Sequence, residues 1–353
     1  MEFDGLRQHD DAAGLCGHGL RGLFAQKRNL ANPRFYSMLR DLVRFYRDAP
    51  ADAAACAGVT LSNFLDMKGY GAAFRDDHLF PMAAAIWSCP TRSMMAYPLA
   101  TFVRFCHNHG LLQIFDRPMW RTVRGGGREY VNKIAAQLDD VRLASPVQRV
   151  TREASGLRVT HAHGSEVFDQ VVLACHSDQS LAILGETASA GQREVLASVR
   201  YQPNRAVLHT DARLLPRDRK LWSAWNYFAG SGDPGSQPVG VSYLINRLQP
   251  LPFETPVVVT LNPAREPNPE KIIAEFDYDH PIFDASAIAA QQRLADDRLG
   301  IQGEGGVWLA GAWGRFGFHE DGLRSALRVA NLMGIAAPWQ KVPASLSPAV
   351  ARA

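Results

Sequence analysis

Residues 306–330 constrain this chain more than any other stretch. Gly306-Val307-Trp308-Leu309-Ala310-Gly311-Ala312-Trp313 is followed by Gly317-Phe318-His319-Glu320-Asp321-Gly322-Leu323 and then Arg324-Ser325-Ala326-Leu327-Arg328-Val329-Ala330. The pattern predicts a short apolar strand, a glycine turn, and a helix that starts at Asp321-Gly322. A helix N-terminus delivered in this way leaves backbone N–H groups pointing at whatever lies in front of it. The arrangement suits an electron-rich or anionic group.

With 353 residues, 46% hydrophobic and 21% charged, the chain is long enough for two intertwined domains. A net charge of +3 and the lack of any basic arm argue against a nucleic-acid partner. The 5 cysteines are scattered and include no CxxC pair, which suggests neither a disulfide framework nor a zinc site. A reducing, cytoplasmic setting is expected. The first residues are polar and acidic, so no signal peptide is expected. No apolar run reaches the roughly 18 residues needed to span a bilayer.

The first third reads as mostly helical. Asn32-Pro33 opens a helix in which Phe35, Met38, Leu39, Leu42, Val43 and Tyr46 recur at helical spacing, with arginines interleaved. Further helices are expected near 60–69, 71–86 and 98–109. After Trp120, Gly125-Gly126-Gly127 leads into a helix from Glu129 to about Leu138. Short strands then follow at 141–143, 146–150 and 157–159, with a buried strand at 168–174. Alternating stretches at 205–211, 221–228, 239–248, 256–262 and 272–278 suggest an antiparallel sheet. A helix is expected over 284–297, and the Pro/Ala/Ser tail 337–353 reads as disordered.

Few side chains form a catalytic pattern unaided. His107 with His109, and His161 with His163, have a spacing that can chelate metal on a strand. Neither pair has a third ligand cluster, so no metal is expected. Cys175-His176 follows a buried strand without an identifiable orienting group and reads as structural. The arginine-bearing helix 33–47 is expected to show solvent a charged face, with peripheral membrane contact as the alternative.

Three segments together resemble the flavin amine oxidase and phytoene desaturase superfamily. Gly125-Gly126-Gly127-Arg128-Glu129-Tyr130-Val131 is similar to its diglycine turn feeding a helix. Ser145-Pro146-Val147-Gln148-Arg149-Val150, with Asp169-Gln170-Val171-Val172-Leu173-Ala174, is similar to its strand pair, where the valine backbone meets the adenine. The third segment is the C-terminal strand and helix. Leu23-Phe24-Ala25-Gln26-Lys27-Arg28-Asn29, Pro81-Met82-Ala83-Ala84-Ala85-Ile86-Trp87-Ser88, His107-Asn108-His109-Gly110-Leu111, Tyr201-Gln202-Pro203-Asn204-Arg205-Ala206-Val207-Leu208-His209-Thr210-Asp211 and Gly317-Phe318-His319-Glu320-Asp321-Gly322 further resemble one bacterial subgroup. These are FAD/NAD-binding, amine-oxidase-like proteins associated with cyclopropane fatty acid synthase.

The resemblance implies an α/β fold with two discontinuous domains. One is an FAD-binding domain (118–190 and 300–336). The other is a substrate domain of helices (23–117) and an antiparallel sheet (191–299). It implies FAD as cofactor, contacted by Gly125, Gly126, Val147, Gly311, Ala312, Glu320, Asp321, Gly322 and Leu323. His319 falls where an aromatic faces the flavin, and could orient substrate or move a proton. Tyr201, Asn204, Arg205 and Trp225 fall on strands that roof the flavin. The implied reaction passes hydride from a substrate carbon to flavin N5, with an apolar small molecule, a fatty acyl group or other lipid, as substrate.

Two departures accompany the resemblance. Trp313 stands where many relatives carry an acidic residue. The family's opening βαβ unit, with its GxGxxG turn, is not matched either: Gly17-His18-Gly19-Leu20-Arg21-Gly22 follows no apolar strand. The chain is therefore expected to be N-terminally truncated, across an irregular segment 1–22. The alternative function is a non-catalytic remnant or partner-binding subunit that cannot hold FAD alone. In that case 171–174 and 307–310 are expected as unpaired edges.

Overall fold

The computed structural model describes residues 7–8, 24, 26–56, 58–87, 91–114, 121–229, 240–337 and 339. The Gly17–Gly22 pattern lies outside the described residues, as do most of the segment 1–22 and most of the tail 337–353. The chain divides into two compact units, Met1–Val141 with Tyr201–Asp284, and Arg142–Arg200 with Ala285–Ala353. The sequence boundaries drawn above fall at 118, 191 and 300, whereas the units change at 142, 201 and 285.

Strand β1 (Arg7–Gln8) precedes the helical part of the first unit. Asn32 accepts the Arg34 N–H at 3.1 Å, and Pro33 takes the first position of helix α1 (Pro33–Ala55). A capping side chain and a residue with no N–H to satisfy together open the helix there. Thr60 caps α2 (Leu61–Met67) in the same way, at 3.3 Å from the Asn63 nitrogen. Helix α3 (Phe80–Trp87) is entered through a wide turn at Arg75–Leu79, and α4 (Leu99–Asn108) follows. Phe35, Met38, Leu42 and Phe45 form the buried stripe of α1. Phe45 stands 5.4 Å from Phe74, 6.3 Å from Phe64 and 6.5 Å from Phe102, ring centre to ring centre. The arginines of α1 meet carboxylates: Arg34 pairs with Asp77 at 2.6 Å, Arg47 with Asp48 at 2.6 Å, and Arg40 and Arg44 with the buried Asp41. Helix α5 (Arg128–Ala135) buries no side chain.

The chain then enters the second unit. The expected strand at 141–143 does not form; Val141 and Leu143 are exposed and pair with no strand. Strands β2 (Val147–Glu153), β3 (Gly156–His161) and β4 (Gly164–Phe168) form an antiparallel three-stranded sheet. β5 (Val171–Leu173), α6 (Ser177–Leu184) and α7 (Ala190–Ala197) follow. The chain returns to the first unit as β6 (Arg200–His209), β7 (Trp225–Ala229), β8 (Gly240–Leu244), β9 (Val258–Leu261) and β10 (Ile272–Ile282). With β1 they form one sheet in the order β1-β7-β8-β9-β6-β10, antiparallel at β1–β7, β7–β8, β8–β9 and β9–β6. The stretch 239–248 is strand only to Leu244, after which one helical turn at Ile245–Leu248 ends it. Helix α8 (Ala285–Leu294), strand β11 (Val307–Leu309) and helix α9 (His319–Leu332) complete the second unit.

β11 and β5 pair in parallel, Val307 with Val171, Trp308 with Val172 and Leu309 with Leu173. The two strands expected as unpaired edges are thus each other's partners. The fold is α/β, with the antiparallel sheet and helices in one unit and the parallel pair in the other.

Candidate functional site

The C-terminal strand–turn–helix of the second unit is built around Gly311. Its N–H donates to Ser325 Oγ at 2.9 Å, and the Ser325 hydroxyl donates to the Gly322 carbonyl at 2.7 Å. The turn is thereby tied to the first turns of α9. A Cβ on Gly311 would lie 2.5 Å from the Trp313 ring. Trp313 is buried and its indole N–H donates to the Cys175 carbonyl at 3.1 Å. The tryptophan standing in an expected acidic position is therefore a core residue that fixes the turn to the end of β5.

Helix α9 starts two residues earlier than expected, at His319. Asp321 is its third residue, and its buried carboxylate accepts the N–H groups of Phe318 at 3.2 Å and Phe316 at 3.3 Å. Arg315 lies 3.6 Å from the same carboxylate. In sequence, a carboxylate in the first turn and one at the cap look alike; here it reaches backward to fold the loop before the helix. His319, Glu320 and Leu323 are exposed, and Glu320 pairs with Arg324 at 2.9 Å. Ala312 begins the short turn that leads to this helix. In the same unit, Val147 is the first residue of β2, opposite His161, and is partly exposed.

Gly125 and Gly126 belong to the first unit and both have left-handed backbones, φ 84° and 86°. The turn feeds α5, with the Gly126 N–H donating to the Val123 carbonyl at 2.9 Å. The sheet strands of that unit carry Tyr201, Asn204, Arg205 and Trp225. Asn204 is buried and accepts from Asn262 Nδ2 at 2.7 Å. Arg205 spans two carboxylates, Glu266 at 2.8 Å and Glu275 at 2.9 Å, which raise its pKa. Tyr201 is half-buried, and Trp225 is exposed against Tyr243 at 5.5 Å. The polar atoms of Asn204 and Arg205 are thus engaged within the sheet, while the aromatic residues keep open surface.

A model of the family described as flavin containing amine oxidoreductase matches residues 8–333. The chain belongs to this family. Solved structures share the fold. A candidate protoporphyrinogen oxidase from Exiguobacterium sp. 255-15 is 16% identical with a TM-score of 0.51, over 75% of this chain and 64% of that one. A CLA-producing fatty acid isomerase from P. acnes is 15% identical with a TM-score of 0.54, over 85% and 75%. A putrescine oxidase bound to putrescine is 15% identical with a TM-score of 0.57, over 84% and 75%. The chain therefore spans less than two thirds of the first of these proteins and three quarters of the other two. No curated protein matches it in sequence.

One observation tests whether the residues of this family member suit a flavin group. Gly322 sits inside α9, where glycine costs about 1 kcal/mol against alanine. A Cβ there would meet nothing closer than Ala312 Cβ at 4.0 Å. Packing within the chain does not require the glycine, and it leaves the backbone there open to an approaching group that a side chain would obstruct. The fit is at the helix end.

The sequence reading did not single out one buried polar line in the first unit. His209 Nε2 lies 2.8 Å from Thr260 Oγ1, and Thr260 Oγ1 lies 2.8 Å from Ser242 Oγ. His209 Nδ1 accepts the Asp211 N–H at 3.0 Å, which puts the imidazole proton on Nε2. Burial pushes the His209 pKa down. Burial works to raise the Asp211 pKa, but the Arg213 side chain and the N–H groups of Asn268 and Arg213 outweigh it and hold the carboxyl below its usual range. The available signal was parity: Thr260 shares a strand face with Val258, and His209 with Val207.

Proposed function

We propose that this chain is an FAD-dependent oxidoreductase acting on an apolar small molecule. The observation that carries this reading is the start of α9, where a glycine that internal packing does not need bares the backbone of a helix N-terminus. On this reading the backbone at Ala312 and Glu320–Leu323 would hold the flavin, with Asp321 and Gly311 fixing the turn. Val147, in the same unit, would meet the adenosine part through its backbone. FAD supplies two-electron redox chemistry, accepting a hydride equivalent from a substrate carbon. The partial positive charge of the helix end favours the electron-rich reduced form. His319, exposed on the first turn, would orient substrate or move a proton at its ring nitrogens. Tyr201 and Trp225 would wall an apolar substrate and exclude water.

Two substrate classes compete, amines and fatty acyl or other lipid groups, and we favour the second. FAD-loaded protein mixed without oxygen with a fatty acid should lose its oxidised-flavin absorbance, while putrescine should leave it intact. Bleaching by the amine alone would reverse the choice of substrate. Bleaching by neither would count against the activity.

A partner-binding subunit is the second reading, and one observation favours it. The outer edge of β11 is closed by side chains: Gln302 bonds both the Leu309 N–H at 2.9 Å and the Leu309 carbonyl at 2.7 Å, and Gln192 reaches the Val307 carbonyl at 3.4 Å. Among the described residues β5 has no strand on its other side, and Val172 is 45% exposed. Parallel strands are normally covered, and an open edge accepts strands.

A further inference from the structure

A surface groove of the second unit, about 570 Å³, lies at the turn of the β3–β4 hairpin and is lined by Ser145, His161, His163 and Glu166, with Arg142 and Leu143 at its wall. Its volume is in the range of small-molecule sites. Ser145 Oγ lies 2.9 Å from His161 Nδ1. The backbone N–H of His163 also points at His161 Nδ1, at 3.3 Å. A backbone N–H can only donate, so Nδ1 carries the lone pair and the imidazole proton sits on Nε2. Nε2 faces Glu166, 3.7 Å from Oε1, and the Arg142 guanidinium grips that same carboxylate. His163 donates through Nε2 to the Ala144 carbonyl at 3.1 Å. Ala144, immediately before Ser145, has φ 52°, a left-handed backbone that costs a non-glycine residue about 1–2 kcal/mol. Strain of this kind persists where neighbouring contacts hold it, and it collects at reactive sites.

A hydroxyl on the unprotonated nitrogen of a histidine, with a carboxylate facing the other nitrogen, is the arrangement of an activated nucleophile. We propose that Ser145, His161 and Glu166 form a hydrolytic site for carboxylic esters, separate from the flavin chemistry. Ser145 Oγ bonds to the ester carbonyl carbon while its proton passes to His161 Nδ1. The ester C–O bond then breaks, and the alcohol departs with that proton. Water repeats the sequence on the acyl-serine, releasing the carboxylic acid and restoring the hydroxyl. No electron is transferred and no further reactant is needed. Glu166 is a positioning residue that keeps the imidazole in the required tautomer. Exposed Leu143 offers apolar contact to an acyl chain. Strand pairing supplies what sequence spacing concealed: Val147 stands opposite His161 across β2 and β3, which brings the imidazole beside Ser145.

The test is covalent labelling of the full chain with a fluorophosphonate, which loses fluoride to an activated serine hydroxyl, followed by peptide mass mapping. The expected result is one adduct on Ser145 in the folded protein and none after denaturation in urea. Ser145→Ala should abolish it, and His161→Gln should slow it about a hundredfold. Glu166→Gln should slow it as well, and Glu166→Asp, which keeps the carboxylate, should restore most of the lost rate. An absent adduct, an adduct on another residue, or a Ser145 adduct that forms equally fast in His161→Gln would overturn the proposal. The labelling is run on flavin-free protein, because Val147, given to the adenosine part, stands opposite His161; the adduct there is expected whether or not the protein can take up FAD.

Discussion

A methyl group at position 311 would be driven into the Trp313 ring, 2.5 Å away, and that ring is anchored to Cys175. Overpacking of this kind costs about 1–3 kcal/mol. Gly311→Ala should therefore lower the unfolding free energy read from urea denaturation by that amount, while Gly322→Ala, which meets nothing closer than 4.0 Å, should leave it unchanged or raise it. Asp211 gives a second residue-scale prediction. Its carboxylate is buried and bonded by Arg213 and the Asn268 N–H, so its folded pKa lies below the unfolded value of about 3.9. The stability it contributes is present above about pH 4 and is lost as pH falls through that value toward the folded pKa. Asp211→Asn should be clearly less stable than the wild type at neutral pH, and the gap should narrow in acid; urea midpoints at the two pH values check it. Single residues were the most legible scale in the sequence. Asn32-Pro33 and Thr60 announce their helices because a cap needs only local atoms. Asp321 misled because its role depends on which N–H groups a folded loop presents to it.

At the scale of elements, the polar line His209–Thr260–Ser242 ties β6, β9 and β8 together inside the sheet. The ring is held neutral: the Asp211 backbone N–H donates to Nδ1, and burial lowers the imidazole pKa below the unfolded value of about 6.5. As pH falls below that value the unfolded chain takes up a proton that the native ring refuses, so native stability declines. His209→Gln keeps one donor and one acceptor but cannot titrate. Its stability should therefore vary less with pH between about 6.5 and 5 than the wild type's, as measured by thermal melting across that interval. Equal slopes would refute the neutral assignment. Alternation in 205–211 and 256–262 made these strands visible, but no local pattern says which strands become neighbours. Likewise β5 and β11 are far apart in sequence, and nothing near either one shows that they pair. The strand expected at 141–143 failed for the converse reason: its apolar residues had no partner to cover them.

At the scale of the molecule, the family match runs over residues 8–333, and the chain divides into two interleaved units, with 118–141 falling in the unit that holds the antiparallel sheet. Among the described residues no helix is long and apolar enough to cross a membrane. The central claim is that this chain carries a flavin. Its most direct test is the visible absorption spectrum of the purified protein, recorded as isolated and again after FAD has been added and the excess removed by desalting. The account predicts a retained flavin band close to one per chain, weakened by Gly322→Val, which would fill the bare helix end. A folded protein that stays colourless after FAD and desalting would contradict it.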